Sequence, residues 1–343
     1  MALPRVGILA DDRLQQHLLK TALVHFGFDV VLSTDPERLP ELGAELRLDA
    51  WVVDIRHEDD ENLHWLDDLL DGDIPVLIGL EKAPQKTCPT FPKWEKKLYS
   101  KLLELTQVTP LLAENSQALE KLPGQQNPRI PLPASLAGQD FSQQVASCVW
   151  VLGASLGGPE AVKAFLDALP AGLPVAFVYA QHIDPRFEQS LCKTIGRHAA
   201  YTLKNFRAGE PLRCGEVLVA PIQHEFCFDD KGLPQTLGTD WPGPYGPSID
   251  QVILNISRSY GHKAGYILFS GMGNDGAEAL ATLTDPDVPV WVQTPATCGN
   301  SSMPESAIAT RRVNYIGDPY QLALQLVNRV KHSWIQNHES IAH

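Results

Sequence analysis

Ser155, His182 and Asp275 each lie just past an apolar run that reads as a β-strand. Ser155 sits in Gly153-Ala154-Ser155-Leu156-Gly157-Gly158, directly after Val149-Trp150-Val151-Leu152. His182 follows Pro174–Ala180 with only Gln181 between, and Asp275 lies in Ser270-Gly271-Met272-Gly273-Asn274-Asp275-Gly276-Ala277, after Tyr266–Phe269. A serine hydroxyl is a poor nucleophile until a base takes its proton, and imidazole is matched to that task near neutrality. A carboxylate then fixes the imidazole's tautomer and stabilises the cation that forms. Parallel sheets gather such strand-end positions from distant parts of a chain. The backbone N–H groups of the two glycine-rich turns, those of Leu156 and Met272 first, could hold an oxyanion. These residue types in these places point to nucleophilic hydrolysis.

Each residue also has a plainer use. A serine before a helix is usually its N-cap. Here Pro159 suits the first helical position, so Gly158 is the expected cap and Ser155 is left for other duty. Asp275 could cap the helix that resumes after it, and a lone histidine near a strand end is more often a surface residue. The glycines fit neither G-x-G-x-x-G nor a P-loop, since no Lys-Ser/Thr follows them. Joint placement at three strand ends of one domain is what favours a triad.

The elements that would hold these residues alternate strand and helix, which predicts an α/β protein of two doubly wound parallel-sheet domains. Over residues 1–105, strands are expected at Arg5–Ala10, Phe28–Leu32, Ala50–Ile55 and Ile74–Leu80. A helix carries Leu14, Leu18, Leu19, Ala22, Leu23 and Phe26, and an acidic stretch keeps Leu63, Leu66, Leu69 and Leu70 on one face. Asp11, Asp12 and Asp54 should meet at the carboxyl edge of that sheet, where three carboxylates suit Mg²⁺. Residues 106–145, with Pro110, Pro123, Pro128, Pro131 and Pro133, read as an extended interdomain linker with one short helix around Ala113–Leu122.

The second domain is expected over 146–335, with a frayed tail over 336–343. Beyond the three strands named above it has helices after Pro159, at Phe187–His198, at Ser248–Tyr260 and at Tyr320–Trp334. Strands at Glu216–Pro221 and Glu225–Phe228 are expected to form a local hairpin, and Val288–Val292 and Val313–Ile316 supply two more.

Composition narrows the function classes. The chain has 343 residues, 44% of them hydrophobic, enough for two packed cores. A net charge of -13 argues against nucleic acid, which needs clustered Lys and Arg. No apolar run reaches the length of a membrane span, and Asp11-Asp12 arrive too early for a signal-peptide core, so a cytoplasmic protein without membrane insertion is expected. The six scattered cysteines, without Cys-x-x-Cys, suit free thiols in a reducing compartment.

GASLGG, QHI, PSID (Pro247–Asp250), SGMGNDGA and QTPATCGNSSMPESAI (Gln293–Ile308) together resemble the CheB-type protein-glutamate methylesterases of bacterial chemosensory systems. The resemblance runs from about Cys148 to the final helix. It implies a Rossmann-like, three-layer esterase domain that needs no cofactor and cleaves glutamyl methyl esters on the cytoplasmic helices of chemoreceptors. Methanol is released, and glutamine deamidation is a side activity. Ser155, His182 and Asp275 fall on the family's triad positions, and Leu156 and Met272 on its oxyanion-hole positions. Leu156 replaces the usual threonine, and Tyr245 stands where many members carry histidine.

The N-terminal half resembles a divergent receiver domain, flavodoxin-like in fold. Asp54 falls at the phospho-acceptor position and Asp11-Asp12 at the metal-binding pair, which implies a chemosensory histidine kinase as partner. Leu80 stands where receivers use Thr or Ser. No Lys-Pro occurs near the fifth-strand region, the nearest candidate being Lys93 in Phe91-Pro92-Lys93. So divergent a receiver suggests the ChpB type of pilus-driven twitching systems. Two other functions remain open on sequence: a small-molecule carboxylesterase with the same triad, and a catalytically idle receptor-binding adaptor.

Overall fold

The computed structural model describes residues 4–41, 47–55, 64–78, 82–85, 88, 90–106, 128–183, 188–243 and 245–339. Leu63, Leu80 and the short helix expected at Ala113–Leu122 lie outside the described residues. The chain divides into two compact units whose main bodies change over at Pro110–Leu111.

The N-terminal unit contains β1 (Arg5–Ala10), α1 (Arg13–His25), β2 (Asp29–Thr34), β3 (Ala50–Asp54), α2 (His64–Leu70), β4 (Val76–Ile78) and α3 (Phe91–Thr106). Its strands are parallel in the order β2-β1-β3-β4, the first four places of the flavodoxin-like sheet. Among the described residues the chain then passes from β4 to α3 with no further strand or helix between. Leu19, Ala22 and Leu23 of α1 are buried as their spacing predicts, whereas Leu14 faces solvent. Phe26, just past α1, stacks on Tyr99 of α3 with ring centroids 4.4 Å apart.

The C-terminal unit runs β5 (Val149–Ala154), α4 (Gly158–Ala168), β6 (Ala176–Gln181), α5 (Glu188–Gly196), β7 (Thr202–Asn205), β8 (Glu216–Val219), β9 (His224–Phe228) and β10 (Pro234–Asp240). It continues with α6 (Ile249–Tyr260), β11 (Ala264–Leu268), α7 (Ala277–Thr282), β12 (Val290–Gln293), α8 (Ser302–Ala309), β13 (Tyr315–Gly317) and α9 (Pro319–Glu339). Seven parallel strands lie in the order β13-β12-β11-β5-β6-β8-β7. The order reverses direction between β5 and β11, and a doubly wound sheet opens its crevice at that switch point.

Two residues at the end of β5 show how the layers are arranged. A Cβ at Gly153 would strike Ile249 of α6, while the methyl of Ala154 lies against Gly158 of α4. Adjacent strand residues face opposite sides of a sheet, so α6 and α4 cover opposite faces and the unit has three layers. Val162, Phe165 and Leu166 of α4 and Ile249, Val252, Ile253 and Ile256 of α6 are fully buried. Each such side chain contributes about 1.5–3 kcal/mol of apolar burial.

The expected hairpin does not form. β8 pairs with β6 and β7 inside the parallel sheet, and β9 pairs instead with β10 as a separate antiparallel ribbon. Thr202–Asn205 and Pro234–Asp240 show little apolar alternation, being half-buried or exposed apart from Pro234, and are strands that periodicity does not reveal. The final helix runs on to Glu339, through part of the stretch expected to fray. The described part of the stretch read as linker is packed into this unit. Ile130, Leu136 and Phe141 are buried in its core, and the Ile130 N–H donates to Ala168 O at 2.8 Å. Among the described residues no helix is long and apolar enough to cross a membrane.

Candidate active site

β5 is buried along its whole length, and Ser155 is the first residue beyond it. The turn into α4 depends on Gly157, which adopts φ 74° and is the N-cap; the expectation of Gly158 as cap is off by one residue. A Cβ on Gly157 would lie 2.7 Å from Ser270 Oγ and 3.2 Å from Gly299 Cα, so only glycine lets the two turns approach. Ser155 N–H donates to Ser270 O at 3.0 Å, which ties this turn to the end of β11. Its Oγ is buried and makes no hydrogen bond among the described residues. A buried hydroxyl without a partner costs about 1–3 kcal/mol, a penalty that persists in native sites where the group has work to do.

β6 delivers His182 after Gln181, and the His182 N–H donates to Ala154 O at 3.1 Å, which places His182 and Ser155 at the ends of neighbouring strands. The His182 ring is buried, and its Nε2 lies 3.0 Å from Asp275 Oδ2. With Nε2–H donated to the carboxylate, Nδ1 is the ring nitrogen that carries the lone pair for proton transfer. Tyr245 stacks on the imidazole with centroids 4.7 Å apart and an interplanar angle of 2°. The position that departs from the family's histidine therefore presents a flat aromatic face to the base.

Asp275 does not cap the helix that follows it. Its Oδ2 accepts from Ile249 N–H at 2.7 Å and its Oδ1 from Asp250 N–H at 3.0 Å, so it closes the N-terminus of α6. Asp250, in the first turn of α6, in turn accepts from Ala279 N–H of α7 at 2.7 Å. The two aspartates exchange caps between two helices. The N–H groups of Ile249 and Asp250 and the His182 ring compensate a charge that burial alone would penalise, and the helix dipole adds to them. Asp275 is thus both a capping residue and the partner of His182.

Further side chains in the quoted motifs prove to be supports. Gln181 is buried and donates from Nε2 to Ser155 O at 2.9 Å and His182 O at 3.0 Å, while its Oε1 accepts from the Tyr179 hydroxyl at 2.7 Å. Gln293 accepts from Ser270 N–H at 2.8 Å and donates to Thr297 O at 2.8 Å. Ser270 Oγ donates to Leu156 O at 2.7 Å and accepts from Asn300 N–H at 3.0 Å. Sequence reasoning passes over them because glutamine and asparagine usually read as surface residues; their one signal is position at or just past a strand end. Leu156 and Met272 lie in the turns that leave the paired strands β5 and β11.

Burial holds the thiols of the C-terminal unit, Cys148, Cys192, Cys214, Cys227 and Cys298, above the ordinary cysteine range. None forms a disulfide. Burial pushes the Cys298 thiol up to about 12, with Glu305 adding to the shift, so it stays neutral.

In the N-terminal unit, register sets Asp54 opposite Ala10, so Asp11, Asp12 and Asp54 lie at one sheet edge. The Asp12 carboxylate accepts from Leu14 N–H at 2.8 Å as the N-cap of α1. Among the described residues no group of three or more His, Cys, Asp or Glu side chains is placed to hold a metal ion. Lys93 sits in the first turn of α3 rather than beyond a strand end.

Residues 150–326 match the family model for the CheB methylesterase domain. Similar proteins include a protein-glutamate methylesterase/protein-glutamine glutaminase 2 of Anaeromyxobacter dehalogenans, 32% identical over 49% of this chain and 49% of that protein. Another, a protein-glutamate methylesterase/protein-glutamine glutaminase 3 of Geobacter sulfurreducens, is 29% identical over 53% of this chain and 50% of its own length. The chain thus spans about half the length of the curated relatives it matches. Among solved structures, the Thermotoga maritima CheB methylesterase catalytic domain aligns with a TM-score of 0.50 and 24% identity, covering 53% of this chain and 97% of that one, a likeness of fold. With a matching domain over more than half its length, the chain belongs to the CheB methylesterase family.

Proposed function

We propose that the protein is a cytoplasmic serine hydrolase that removes methyl groups from glutamyl esters on the cytoplasmic helices of chemoreceptors. The observation that carries this reading is the buried His182–Asp275 pair, set one strand away from a serine whose Oγ makes no hydrogen bond among the described residues. His182 Nδ1 takes the Ser155 proton as Oγ bonds to the ester carbonyl carbon. The resulting oxyanion is held by the N–H groups of Leu156 and Met272. The carbonyl re-forms, the C–OCH₃ bond breaks, and His182 returns the proton so that methanol leaves. Water then attacks the acyl-enzyme by the same route and frees the glutamate carboxylate and Ser155. A glutamine side chain would follow the same path with ammonia as the leaving group.

The N-terminal unit is read as a receiver-like module facing a chemosensory histidine kinase, with Asp54 as the group that would take a phosphoryl; Asp11 and Asp12, on the same sheet edge, would have to regroup with it to hold Mg²⁺. Because Asp12 is already engaged as a helix cap and Leu80 offers no hydroxyl, the module is proposed to act chiefly by docking or constant inhibition. Its divergence is what supports a place in a pilus-driven motility system. The test is methanol release from methyl-labelled receptor membranes, with p-nitrophenyl acetate as control. Release by the wild type and none by Ser155→Ala supports the reading. Hydrolysis of the small ester alone would favour a carboxylesterase, and neither activity an adaptor.

A further inference from the structure

We infer that Gln181 is a positioning residue for the oxyanion hole, an inference that rests on the hydrolase reading above. The Ser155 carbonyl and the Leu156 N–H belong to one planar peptide unit, so whatever fixes the carbonyl aims the N–H. That carbonyl accepts from two donors, Gln181 Nε2 at 2.9 Å and Gly158 N–H at 2.9 Å. Two bonds on the oxygen also polarise the amide, which strengthens the N–H as a donor to a developing negative charge. Ser155's own N–H is engaged with Ser270 O, so the peptide that follows Ser155 is the one free to turn toward substrate chemistry.

The Gln181 side chain has no freedom to do otherwise. Its oxygen faces the Tyr179 hydroxyl and its nitrogen spends both hydrogens on main-chain carbonyls, those of Ser155 and His182. One amide therefore joins the turn of the nucleophile to the turn of the base. A shorter side chain could not span the two, and a carboxylate would turn two donors into acceptors facing carbonyl oxygens. Tyr179 and Gln181 alternate along β6 with the same facing, so the phenol anchors the amide from one step back along the strand.

Wild type, Gln181→Glu, Gln181→Leu and Tyr179→Phe proteins, at full length, would be compared for labelling of Ser155 by a fluorophosphonate and for kcat and KM of methanol release. Removing one oxyanion donor outright costs about 10²–10³-fold in kcat elsewhere. Misaiming it should cost Gln181→Glu and Gln181→Leu about 10–100-fold in kcat and in labelling rate, with KM unchanged. Tyr179→Phe keeps the ring in the core and loses one hydrogen bond, so it should fold normally and lose about threefold to tenfold. If all three variants label at the wild-type rate, or if KM rises while kcat holds, the positioning role is overturned. A wild type that does not label at all sinks the hydrolase reading itself, and this inference with it.

Discussion

Gly7 faces Trp51 across the β1–β3 register of the N-terminal sheet, and Gly265 faces Trp150 across β11–β5 of the C-terminal sheet. In both places a Cβ on the glycine would come within 2.4–2.5 Å of the indole, so each sheet makes room for a tryptophan by the same means. The strand ends are then used differently. At the N-terminal edge, the Asp12 carboxylate accepts from the N–H of Leu14, two residues away, at the start of its own helix. At the C-terminal edge, Asp275 bonds a histidine 93 residues away and a helix start 26 residues away. A local bond stabilises an element wherever that element sits. Bonds that cross the chain inside a dry core specify one arrangement of distant groups, which is what a catalytic site needs.

The largest way to break this contrast is at the nucleophile. Ser155→Ala should lower kcat for methanol release by about 10⁶-fold, and His182→Ala nearly as much, with the double variant no worse because the pair acts as a unit. Thermal melting of Ser155→Ala should rise by a few degrees rather than fall, since a buried hydroxyl without a partner among the described residues is removed. Next comes Asp275→Asn, expected to lose about 10⁴-fold by offering the imidazole the wrong partner. It should also lose about 1–3 kcal/mol of stability, because an amide cannot accept from both α6 N–H groups and His182. Asp12→Asn is the matching change in the other sheet. Asparagine caps as well as aspartate, so urea denaturation should show less than about 0.5 kcal/mol of change. Equal losses from the two substitutions would erase the distinction between local and cross-chain carboxylates.

How far the site could be read from sequence depends on what kind of contact makes it. The strand-end places of Ser155, His182 and Asp275 were legible because an apolar run that stops marks a strand end whatever its neighbours are. Which strands neighbour one another was not legible: the apolar run in Glu216–Val219 is a strand, yet its partners are Phe177–Tyr179 and Thr202–Asn205, not the next run. Asp275's bonds to α6 were hidden for the same reason, since nothing local tells a cap for the next helix from a cap for the previous one. Gln181 and Gln293 have the composition of surface residues and the burial of core residues, a fact fixed only once both turns are in place. The Pro-rich stretch misled in another way. Its prolines forbid regular structure, but Ile130, Leu136 and Phe141 still bury themselves.

Tyr245 sharpens the comparison on a smaller scale. An aromatic stack adds about 0.5–1.5 kcal/mol beyond area burial, so Tyr245→Ala should cost about threefold to tenfold in kcat, while Tyr245→Phe keeps the face and the rate. Loss of activity in Tyr245→Phe would move the role from the ring to the hydroxyl.

The smallest expected effect concerns the N-terminal sheet edge, where the difference between the two units is most exposed to test. A phosphoryl on Asp54 can shift the protein only as far as it interacts differently with two states, and an effector without that differential shifts nothing. Receivers obtain the differential from a hydroxyl and a lysine beside the phospho-acceptor. Here position 80 is leucine, Lys93 is already wound into the first turn of α3, and Asp12 is tied to α1. Acetyl phosphate with Mg²⁺ should therefore change methanol release by the intact protein less than about twofold, under roughly 0.4 kcal/mol. Asp54→Asn should behave as the wild type with or without the reagent. A tenfold activation that vanishes in Asp54→Asn would mean that this edge too is wired across the chain, and that a switch survives without the hydroxyl at position 80.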